Sequence, residues 1–325
     1  MTKILVTGGA GYIGSHYVQY ENARGNEVVI LDNLIYGHRE SVGDNLLVVG
    51  DVGDRVLLDE LFKAQKFDAV VHFAAFAAVG ESVAHPERYY NNNVRATLNL
   101  LDVMRMHDVK NLIFSSSCAT YGNPVYVPMD EKHPQAPINP YGESKYICEK
   151  MMSAYDHAHG LRFASLRYFN AAGADPEGRI GESHDPETHI IPNILLAILG
   201  KRDAVTVFGT DYDTPDGTCI RDYIHILDLA QAHSLALGRL MDGATSDFFN
   251  LGTEYGNSVD DVIRVCEKVS GKAAPKKIGQ RRPGDPPRLV ASAAKAREIL
   301  GWKPAYSDLE SIVRTAWNWE TNRRY

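Results

Sequence analysis

Two tyrosine–lysine pairs lie within the stretch "NPYGESKYICEK", residues 139–150, and either could place a phenol beside an ammonium group. Tyr141 precedes Lys145 by four residues, and Tyr146 precedes Lys150 by four, so each pair shares one face of a helix. Helix rotation directs the two tyrosines differently, so at most one pair can face a given site. A pair this short does not establish chemistry by itself.

The residues around Tyr141 favour the first pair. Asn139 is a typical N-cap and Pro140 suits the first helical position, which predicts that Tyr141 lies in the first turn of a helix. Ser117 ends the predicted strand "NLIFSS", and the carboxyl ends of parallel strands face a ligand crevice. Tyr141 could then take a hydroxyl proton from a carbinol, with Ser117 holding the same oxygen and Lys145 lowering the pKa of the phenol. The alternative is a buried structural tyrosine beside a solvated lysine.

A glycine-rich turn, "GGAGYIG", follows the first predicted strand, "KILVT", and precedes a helical stretch. Gly8, Gly11 and Gly14 permit a tight turn, close backbone approach to a pyrophosphate and close packing of helix on strand. Tyr12 and Ile13 lie between them, where the helix N-terminus attracts negative charge. The spacing is GxxGxxG rather than GxGxxG, and a flexible turn is the alternative interpretation. In its strand–turn–helix context the motif predicts dinucleotide binding.

Acidic residues at the next two strand ends indicate which dinucleotide. Asp32 ends the strand "EVVIL", where its carboxylate can accept hydrogen bonds from a ribose and would repel a 2′-phosphate. This favours NAD over NADP, although Arg39 is close in sequence. Asp51 follows the third strand, within reach of an adenine edge. A loop-capping Asp32 and a solvated Asp51 are the alternatives.

The order of apolar runs predicts the architecture. "KILVT", "EVVIL", "LLVVG", "AVVHFA", "NLIFSS" and "FASLR" alternate with stretches of helical length, which is typical of an α/β fold with a doubly wound, Rossmann-type parallel sheet. After about residue 170 the pattern changes to loops rich in Gly, Pro, Asp and Thr. We therefore expect an NAD-binding domain over 1–170 and a smaller, loop-rich substrate lobe over 171–325, with a possible return of the chain to the first domain near 222–250.

Composition excludes several classes. The chain has 325 residues, a formal net charge of −7 and 44% hydrophobic residues, so we expect neither a nucleic-acid binder nor a protein of anionic membrane surfaces. No apolar run is long enough to span a bilayer, and a cytoplasmic location is expected. The four scattered cysteines have neither metal-type spacing nor disulfide-scaffold density, so free thiols and no metal site are predicted.

An ordered set of motifs carries a family resemblance: "TGGAGYIGSH", "LDNL", "HFAAFAAVGESV", "NNV", "SSSCATYG", "NPYGESK", "RYFNAAGA" and "RDYIHILDLA". The chain resembles the extended short-chain dehydrogenase/reductase family, and within it the UDP-hexose 4-epimerases, from the first strand to "RRPGD". The resemblance implies a tightly held NAD that is reduced and reoxidised within one turnover, with UDP-glucose and UDP-galactose interconverted through oxidation at the sugar C4. It also implies a homodimer, paired through the helix carrying Tyr141 and the helix around 93–107.

Carried over residue by residue, the resemblance keeps Tyr141, Lys145 and Ser117 as catalytic residues. The cofactor-lining set adds to the glycine turn the residues Asp32, Asn33, Asp51, Val52, Phe73, Ala74, Ala75, Asn93, Tyr141, Lys145 and Tyr168. The implied UDP-sugar contacts are Ser117, Asn170, His189, Phe208, Arg221, Tyr223, Arg282, Asp285 and Leu289. Guanidinium groups suit a diphosphate, an aromatic ring suits uracil, and a carboxylate suits ribose hydroxyls. A structural histidine is the alternative for His189, and a solvated basic loop is the alternative for the segment around Arg282.

Several alternatives stay open. Sugar-nucleotide dehydratases need an Asp–Glu pair where this chain has Cys118 and Ala119, which argues against that reaction. Epimerases of N-acetylhexosamine or pentose nucleotides, a net NAD-dependent dehydrogenase or reductase, and a non-enzymatic NAD sensor all share the glycine turn. Ala77, Glu254 and the pair Glu21–Asn22 depart from the expected pattern.

Overall fold

The structure is a computed structural model that describes residues 1–282 and 285–325, and its elements alternate between strand and helix over the first half of the chain. The strands are β1 (Lys3–Thr7), β2 (Glu27–Asp32), β3 (Leu46–Val49), β4 (Ala69–His72), β5 (Asn111–Ser115), β6 (Arg162–Tyr168), β7 (Asn170–Ala172), β8 (Val205–Phe208), β9 (Ile220–Arg221), β10 (Tyr223–His225), β11 (Asp247–Leu251), β12 (Asn257–Ser258), β13 (Lys276–Gly279) and β14 (Arg288–Leu289). The helices are α1 (Tyr12–Ala23), α2 (Arg55–Gln65), α3 (Val79–Ala84), α4 (Pro86–Tyr89), α5 (Ala96–Met106), α6 (Pro140–His159), α7 (Ile190–Ile198), α8 (Ile226–Met241), α9 (Val259–Ser270), α10 (Ala294–Leu300) and α11 (Leu309–Thr321).

Seven parallel strands form the central sheet, in the order β11-β6-β5-β4-β1-β2-β3. Alternate residues of β1 face opposite sides: Ile4 and Val6 pack in one core with α1 and α8, and Leu5 packs in the other with α2, α5 and α6. Burial on both faces explains why these strands read as nearly continuous apolar runs. The predicted α/β fold with a doubly wound parallel sheet is confirmed, and it places the ends of β1, β4 and β5 at one crevice.

The last part of the chain divides between two regions. A third core contains Ile191, Ile194, Val262, Ile263 and Val313, from α7, α9 and α11, beside small sheets of two or three short strands. In contrast, α8 packs on α1, and β11 extends the central sheet beside β6. The division into 1–170 and 171–325, with a return of the chain near 222–250, stays a prediction, and α8 and β11 are the later elements that lie with the first part of the chain.

Two departures from the expected pattern have local explanations. Glu21 is buried in α1, where its carboxylate accepts a hydrogen bond of 2.6 Å from Asn26 Nδ2 and so closes the turn into β2. Glu254 has a left-handed backbone with φ of 71°, the conformation for which glycine is usual. Its side chain accepts from the backbone nitrogen of Ala293 at 2.8 Å and pairs with Arg297, so it ties this turn to α10.

The state of the cysteines and the character of the helices can be compared with what the sequence predicts. Cys118, Cys148, Cys219 and Cys266 are free thiols, as predicted. Across residues 1–282 and 285–325, none of the helices combines the length and apolar character needed to cross a membrane.

Candidate active site

The glycine turn is shaped by two close backbone approaches. Gly8 has φ of +72°, and a Cβ there would lie 2.5 Å from the nitrogen of Ala74. A Cβ on Gly14 would lie 2.1 Å from the oxygen of Gly8, so α1 packs directly on the turn. Gly11 is the N-cap of α1, and the first-turn amides of residues 12–14 lack acceptors within the helix. This N-terminus therefore offers donors and a positive dipole to a phosphate group.

Asp32 holds the glycine turn against the end of β2. Its Oδ2 accepts from the nitrogen of Ala10 at 2.9 Å, and its Oδ1 accepts from the nitrogen of Leu34 at 2.8 Å. Burial raises the pKa of the Asp32 carboxyl, and the two backbone bonds act against this rise. Each oxygen retains a further lone pair, which a ribose hydroxyl could use.

Asn33 and Asp51 meet at the ends of β2 and β3. Asn33 Nδ2 donates to Asp51 Oδ2 at 2.9 Å, while Asp51 Oδ1 accepts from the nitrogen of Gly53 at 2.6 Å. The neighbouring Val52 is buried. Arg39 is the basic residue near Asp32 in sequence that could have paired with the 2′-phosphate of NADP. It is exposed in a short 3₁₀ turn over 39–41.

The segment after β4 lies on the glycine turn. The nitrogens of Phe73 and Ala74 both donate to the oxygen of Thr7, at 2.9 and 3.1 Å, and Ala75 is half-buried. Asn93 lies in a turn of π-helix over 90–95. Its side-chain amide bonds both backbone groups of Phe76, at 2.9 and 3.0 Å, and donates to Ser144 Oγ at 3.0 Å. Asn93 therefore fastens this segment to α6.

The start of α6 agrees with the prediction from sequence. Asn139 Oδ1 accepts from the nitrogen of Gly142 at 2.8 Å, and Pro140 is the first helical residue, so Tyr141 lies in the first turn. A Cβ on Gly142 would lie 2.3 Å from the oxygen of Ala119, so the helix start packs tightly against the turn that follows β5. The hydroxyl of Ser117 acts to lower the pKa of the Tyr141 phenol and so favours the phenolate.

Lys145 lies one turn beyond Tyr141 on α6 and is bound to the end of β5. Its Nζ donates to the backbone oxygen of Ser115 at 2.7 Å and lies 4.9 Å from the ring centre of Phe114. Burial lowers the pKa of Lys145 to about 8 and raises the pKa of Tyr141 to about 12, with Ser117 opposing the latter rise. The expectation that Lys145 lowers the pKa of the phenol stays a prediction. Tyr168, at the end of β6, shares a hydrogen bond with the hydroxyl of Ser115.

Sequence reasoning missed the network beneath these residues. Glu149, one turn beyond Lys145 on α6, accepts from Ser116 Oγ at 2.7 Å and Ser165 Oγ at 2.8 Å, and it pairs with Arg167. No local motif marks this set, because its members come from α6, β5 and β6 and meet only in the folded chain.

Four of the predicted UDP-sugar residues meet in one group. Arg221 and Arg282 both donate to Asp285, the latter at 2.9 and 3.1 Å, and the Arg282 guanidinium lies 5.0 Å from the ring centre of Phe208. Arg221 and Asp285 are largely buried, while Arg282 is exposed. Pro283 and Gly284, in the same loop, lie outside the described residues.

Asn170, Tyr223 and Leu289 lie on neighbouring strands. Asn170 pairs in register with Tyr223 across β7 and β10, and its Nδ2 donates to the oxygen of Asp222 at 2.9 Å. Burial raises the pKa of Tyr223 strongly. Leu289 and Cys118 both pack against a small apolar cluster, which places Leu289 near the residue that follows Ser117.

His189 contacts acidic side chains. Its Nδ1 lies 2.6 Å from Glu182 Oε1 and 3.3 Å from Glu187 Oε1, and the ring is half exposed. Its contact with a UDP-sugar stays a prediction. The signal for this arrangement was present in "GESHDPETH", where two histidines and two glutamates fall within eight residues.

Comparison with known families matches residues 4–252 to the NAD dependent epimerase/dehydratase family. The chain belongs to this family. Its place among the NAD dependent epimerases and dehydratases agrees with the glycine turn, the acidic strand ends and the seven-stranded sheet described above.

Relatives within the epimerase/dehydratase family align over almost the full length. A UDP-glucose 4-epimerase of Halalkalibacterium halodurans is 53% identical over 316 residues, covering 97% of this chain and 95% of the relative. The crystal structure of a UDP-glucose 4-epimerase from Brucella ovis in complex with NAD has a TM-score of 0.96 at 48% identity, covering 98% of each chain. The UDP-glucose 4-epimerase from Bifidobacterium longum in complex with NAD⁺ and UDP has a TM-score of 0.93 at 38% identity, covering 99% of each chain.

Proposed function

We propose that this chain is an NAD-dependent UDP-glucose 4-epimerase that interconverts UDP-glucose and UDP-galactose. The observation that carries the proposal is the tight packing of the start of α6, which carries Tyr141, against the turn that follows Ser117, at the crevice formed by β1, β4 and β5 beside the glycine turn. The 53% identity to a UDP-glucose 4-epimerase over almost the whole chain supports the same activity.

The residues at the crevice fit NAD. Gly8 and Gly14 lack the Cβ atoms that would clash with the neighbouring backbone in the turn. The N-terminus of α1 offers backbone amides to a pyrophosphate. Asp32 has lone pairs left for the adenosine ribose, and its charge disfavours a 2′-phosphate. The further lining residues proposed are Gly11, Tyr12, Ile13, Asn33, Asp51, Val52, Phe73, Ala74, Ala75, Asn93, Tyr141, Lys145 and Tyr168. When bound, NAD would supply the acceptor and donor of the C4 hydride and a positive ring near the phenol.

Tyr141 would take the proton of the sugar C4 hydroxyl and return it after the sugar turns over. Its phenol is difficult to ionise in its buried position, so it depends on nearby groups that favour the phenolate. Ser117 supplies one of these and would hold the same sugar oxygen. Lys145, fixed by Ser115, would present its ammonium to ribose hydroxyls and add positive charge to the crevice.

The group formed by Phe208, Arg221, Arg282 and Asp285 would hold UDP. The two guanidiniums suit the diphosphate, and their present shared partner, Asp285, would exchange part of this pairing for ribose hydroxyls. The exposed ring of Phe208 would stack on uracil. Asn170, His189, Tyr223 and Leu289 complete the proposed contacts.

A net dehydrogenase or reductase is the second candidate, since the same catalytic groups would serve it. The first test is to incubate purified protein with UDP-galactose and no added NAD, and to separate the products by chromatography. Conversion to UDP-glucose with no lasting rise in absorbance at the NADH band supports the epimerase. Accumulation of an oxidised sugar that requires added NAD would support the dehydrogenase. NAD retained with no UDP-hexose turned over would favour the sensor.

The homodimer and the cytoplasmic location belong to the same proposal. Pairing would use α6 and the helical segment over 90–106, which exposes Leu98 and Met106. Light scattering at micromolar concentration tests the dimer, and a monomer mass would rule it out. Four free cysteines suit a reducing compartment, and localisation of a tagged chain by microscopy tests the location.

A further inference from the structure

Four metal-ligand side chains converge in the segment between β7 and α7. Glu182, His184, Glu187 and His189 each offer one ligand atom, and these atoms all lie within 4.8 Å of one another. The two carboxylate side chains are almost wholly buried, at 5% and 4% exposed. We call these four residues the His–Glu cluster.

The atoms at this centre form close histidine–carboxylate contacts whose alignment is poor for hydrogen bonds. Glu182 Oε1 lies 2.6 Å from His189 Nδ1 and 3.2 Å from His184 Nδ1, and Glu187 Oε2 lies 3.6 Å from His184 Nδ1. Within the residues that the structure describes, Glu182 Oε1, His184 Nδ1 and Glu187 Oε2 nevertheless have no aligned hydrogen-bond partner. Buried polar atoms are normally satisfied, because leaving one without a partner costs stability. Lone pairs aimed at one centre are the arrangement that a cation satisfies.

Backbone bonds orient one carboxylate for this purpose. Glu187 Oε1 accepts from the backbone nitrogens of Thr188 and His189, at 2.6 and 2.7 Å. Its other oxygen, Oε2, is thereby turned to the cluster. The carboxylate is thus held in one orientation before any ligand arrives.

We propose that the His–Glu cluster binds a divalent transition-metal ion of the zinc class. Imidazole nitrogen with carboxylate oxygen suits zinc, whereas calcium and magnesium require oxygen ligands throughout. Tetrahedral zinc with ligand bonds of about 2.0–2.2 Å places its ligand atoms roughly 3.3 Å apart. Three of the separations, at 2.6, 3.2 and 3.6 Å, lie on both sides of that value, and since the full set reaches up to 4.8 Å, the ion would draw the side chains together. Two carboxylates and two neutral imidazoles would also balance the charge of the ion.

The position of the cluster indicates a structural role. Trp319 Nε1 and Arg323 Nη2, in and after α11, donate to the backbone oxygen of Glu182 at 2.8 and 3.0 Å. On the other side, the ring of Tyr12, in the first turn of α1, meets the ring of His184 edge to face at 6.2 Å. With four protein ligands the ion would have no open position, as in structural zinc sites, and His189 would then bind the ion in place of its proposed contact with the UDP-sugar. It would clamp the end of the chain to the helix that begins at the glycine turn.

Cysteine spacing predicted no metal site, because it carries no information about histidine and glutamate ligands. The test uses a chain without a polyhistidine tag, stripped with a chelator and then titrated with ZnCl₂ by calorimetry. We expect one ion per chain and a higher melting temperature with zinc than with chelator. Neither readout depends on epimerase activity, so failure of the proposed function and failure of this site are distinguishable.

Variants locate the ion. Glu187→Gln and His184→Gln should each lower zinc affinity by more than about 100-fold, since even groups that only orient a ligand contribute about 10- to 100-fold. His85→Gln is the matched control: His85 forms an exposed pair with Glu87 at 3.6 Å, and its loss should leave binding unchanged. If wild-type protein shows no zinc-dependent rise in melting temperature, or binds zinc equally well without Glu187 and His184, the cluster is an ion-pair network and the proposal is wrong.

Discussion

Glu149 and Arg167 form a buried, two-pronged ion pair directly beneath the candidate catalytic residues. Arg167 Nε lies 2.9 Å from Glu149 Oε1, and Nη2 lies 2.7 Å from Oε2, with the side chains 4% and 2% exposed. Glu149 Oε1 also accepts from the hydroxyl of Ser116, the neighbour of Ser117. The pair thus joins α6, which carries Tyr141, to the ends of β5 and β6.

Glu149→Gln should destabilise the protein strongly. The amide keeps the shape of the side chain but leaves the Arg167 guanidinium buried without its counter-charge, and breaking a buried pair in this way typically costs about 3–5 kcal/mol. Urea unfolding measures the change in free energy. Glu310→Gln is the control, because Glu310 pairs with Lys268 on the surface and its loss should change stability little. Equal losses in the two variants would contradict the role assigned to the buried pair.

Tyr141→Phe should remove most turnover, while Tyr146→Phe should keep it. A general base typically contributes about 10² to 10⁴-fold to the rate, and Phe retains the packing of the ring. Tyr146 is a close control, since it lies on the same helix and its ring contacts Lys150 Nζ at 4.0 Å. Initial rates with UDP-galactose give the comparison, and melting temperatures check that both variants fold. Similar rate losses in the two variants would show that the wrong tyrosine has been assigned.

The start of α6 could be predicted because its signals are local. Asn139, Pro140 and Tyr141 are consecutive, and capping and proline geometry depend on residues close in sequence. The glycine turn was predictable for the same reason. The contact of Lys145 was not, because its partner is a backbone oxygen of β5, and helix spacing says only which face the lysine occupies. Burial is the main cause of the pKa shifts of Tyr141 and Lys145, and burial depends on the whole fold rather than on nearby sequence.

The contacts among the predicted UDP-sugar residues likewise could not be predicted from local sequence. The resemblance supplied Phe208, Arg221, Arg282 and Asp285 as separate residues, and only the folded chain shows Asp285 between the two guanidiniums. The network of Glu149 and Arg167 joins residues from separate elements, so no motif reveals it. In the His–Glu cluster all four residues are local, but convergence of their ligand atoms depends on backbone bonds that spacing does not specify.

Stability should fall as the pH drops below about 6.5, partly through His233. Burial lowers its pKa to about 4, and the surrounding rings of Tyr17, Phe73 and Tyr168 provide no opposite charge. Between pH 4 and 6.5 the unfolded chain binds a proton that the native histidine does not, so the stability contributed by the neutral ring is complete above 6.5 and is lost toward pH 4. This slope approaches about 1.4 kcal/mol per pH unit for one group.

His233→Phe tests this dependence, because it keeps the aromatic packing and removes the titrating ring. The variant should lose less stability than the parent between pH 7 and pH 5, as measured by urea unfolding at each pH. The variant also loses the 2.8 Å hydrogen bond between His233 Nδ1 and the backbone oxygen of Leu229, which lowers its stability at every pH. The quantity to compare is therefore the change in unfolding free energy between pH 7 and pH 5. An unchanged slope would mean that His233 does not contribute to the acid sensitivity.

Leu289→Tyr should narrow the range of sugars accepted. The resemblance to the UDP-hexose 4-epimerases implies that this position borders the sugar pocket, where a tyrosine would exclude 2-acetamido sugars. Leu289 packs against the same cluster as Cys118, next to Ser117, which is consistent with a place beside the sugar. Leucine is shorter than tyrosine, so we expect UDP-glucose and UDP-galactose to be the better substrates and UDP-N-acetylglucosamine to be turned over weakly.

The tyrosine variant should lower the ratio of acetylated to plain sugar turnover. A steric mismatch of this kind is worth roughly 1–3 kcal/mol, a factor of about 10 to 200 in kcat/KM. The effect is limited because the side chains that line the pocket can move to relieve part of the clash. Plain hexoses have only a hydroxyl at C2, so their turnover should change much less and serves as the internal control for folding. Val290→Ile, at the neighbouring buried position, is the control for a local volume increase. If the ratio stays the same in Leu289→Tyr, this residue does not border the C2 substituent and the loop has been aligned wrongly.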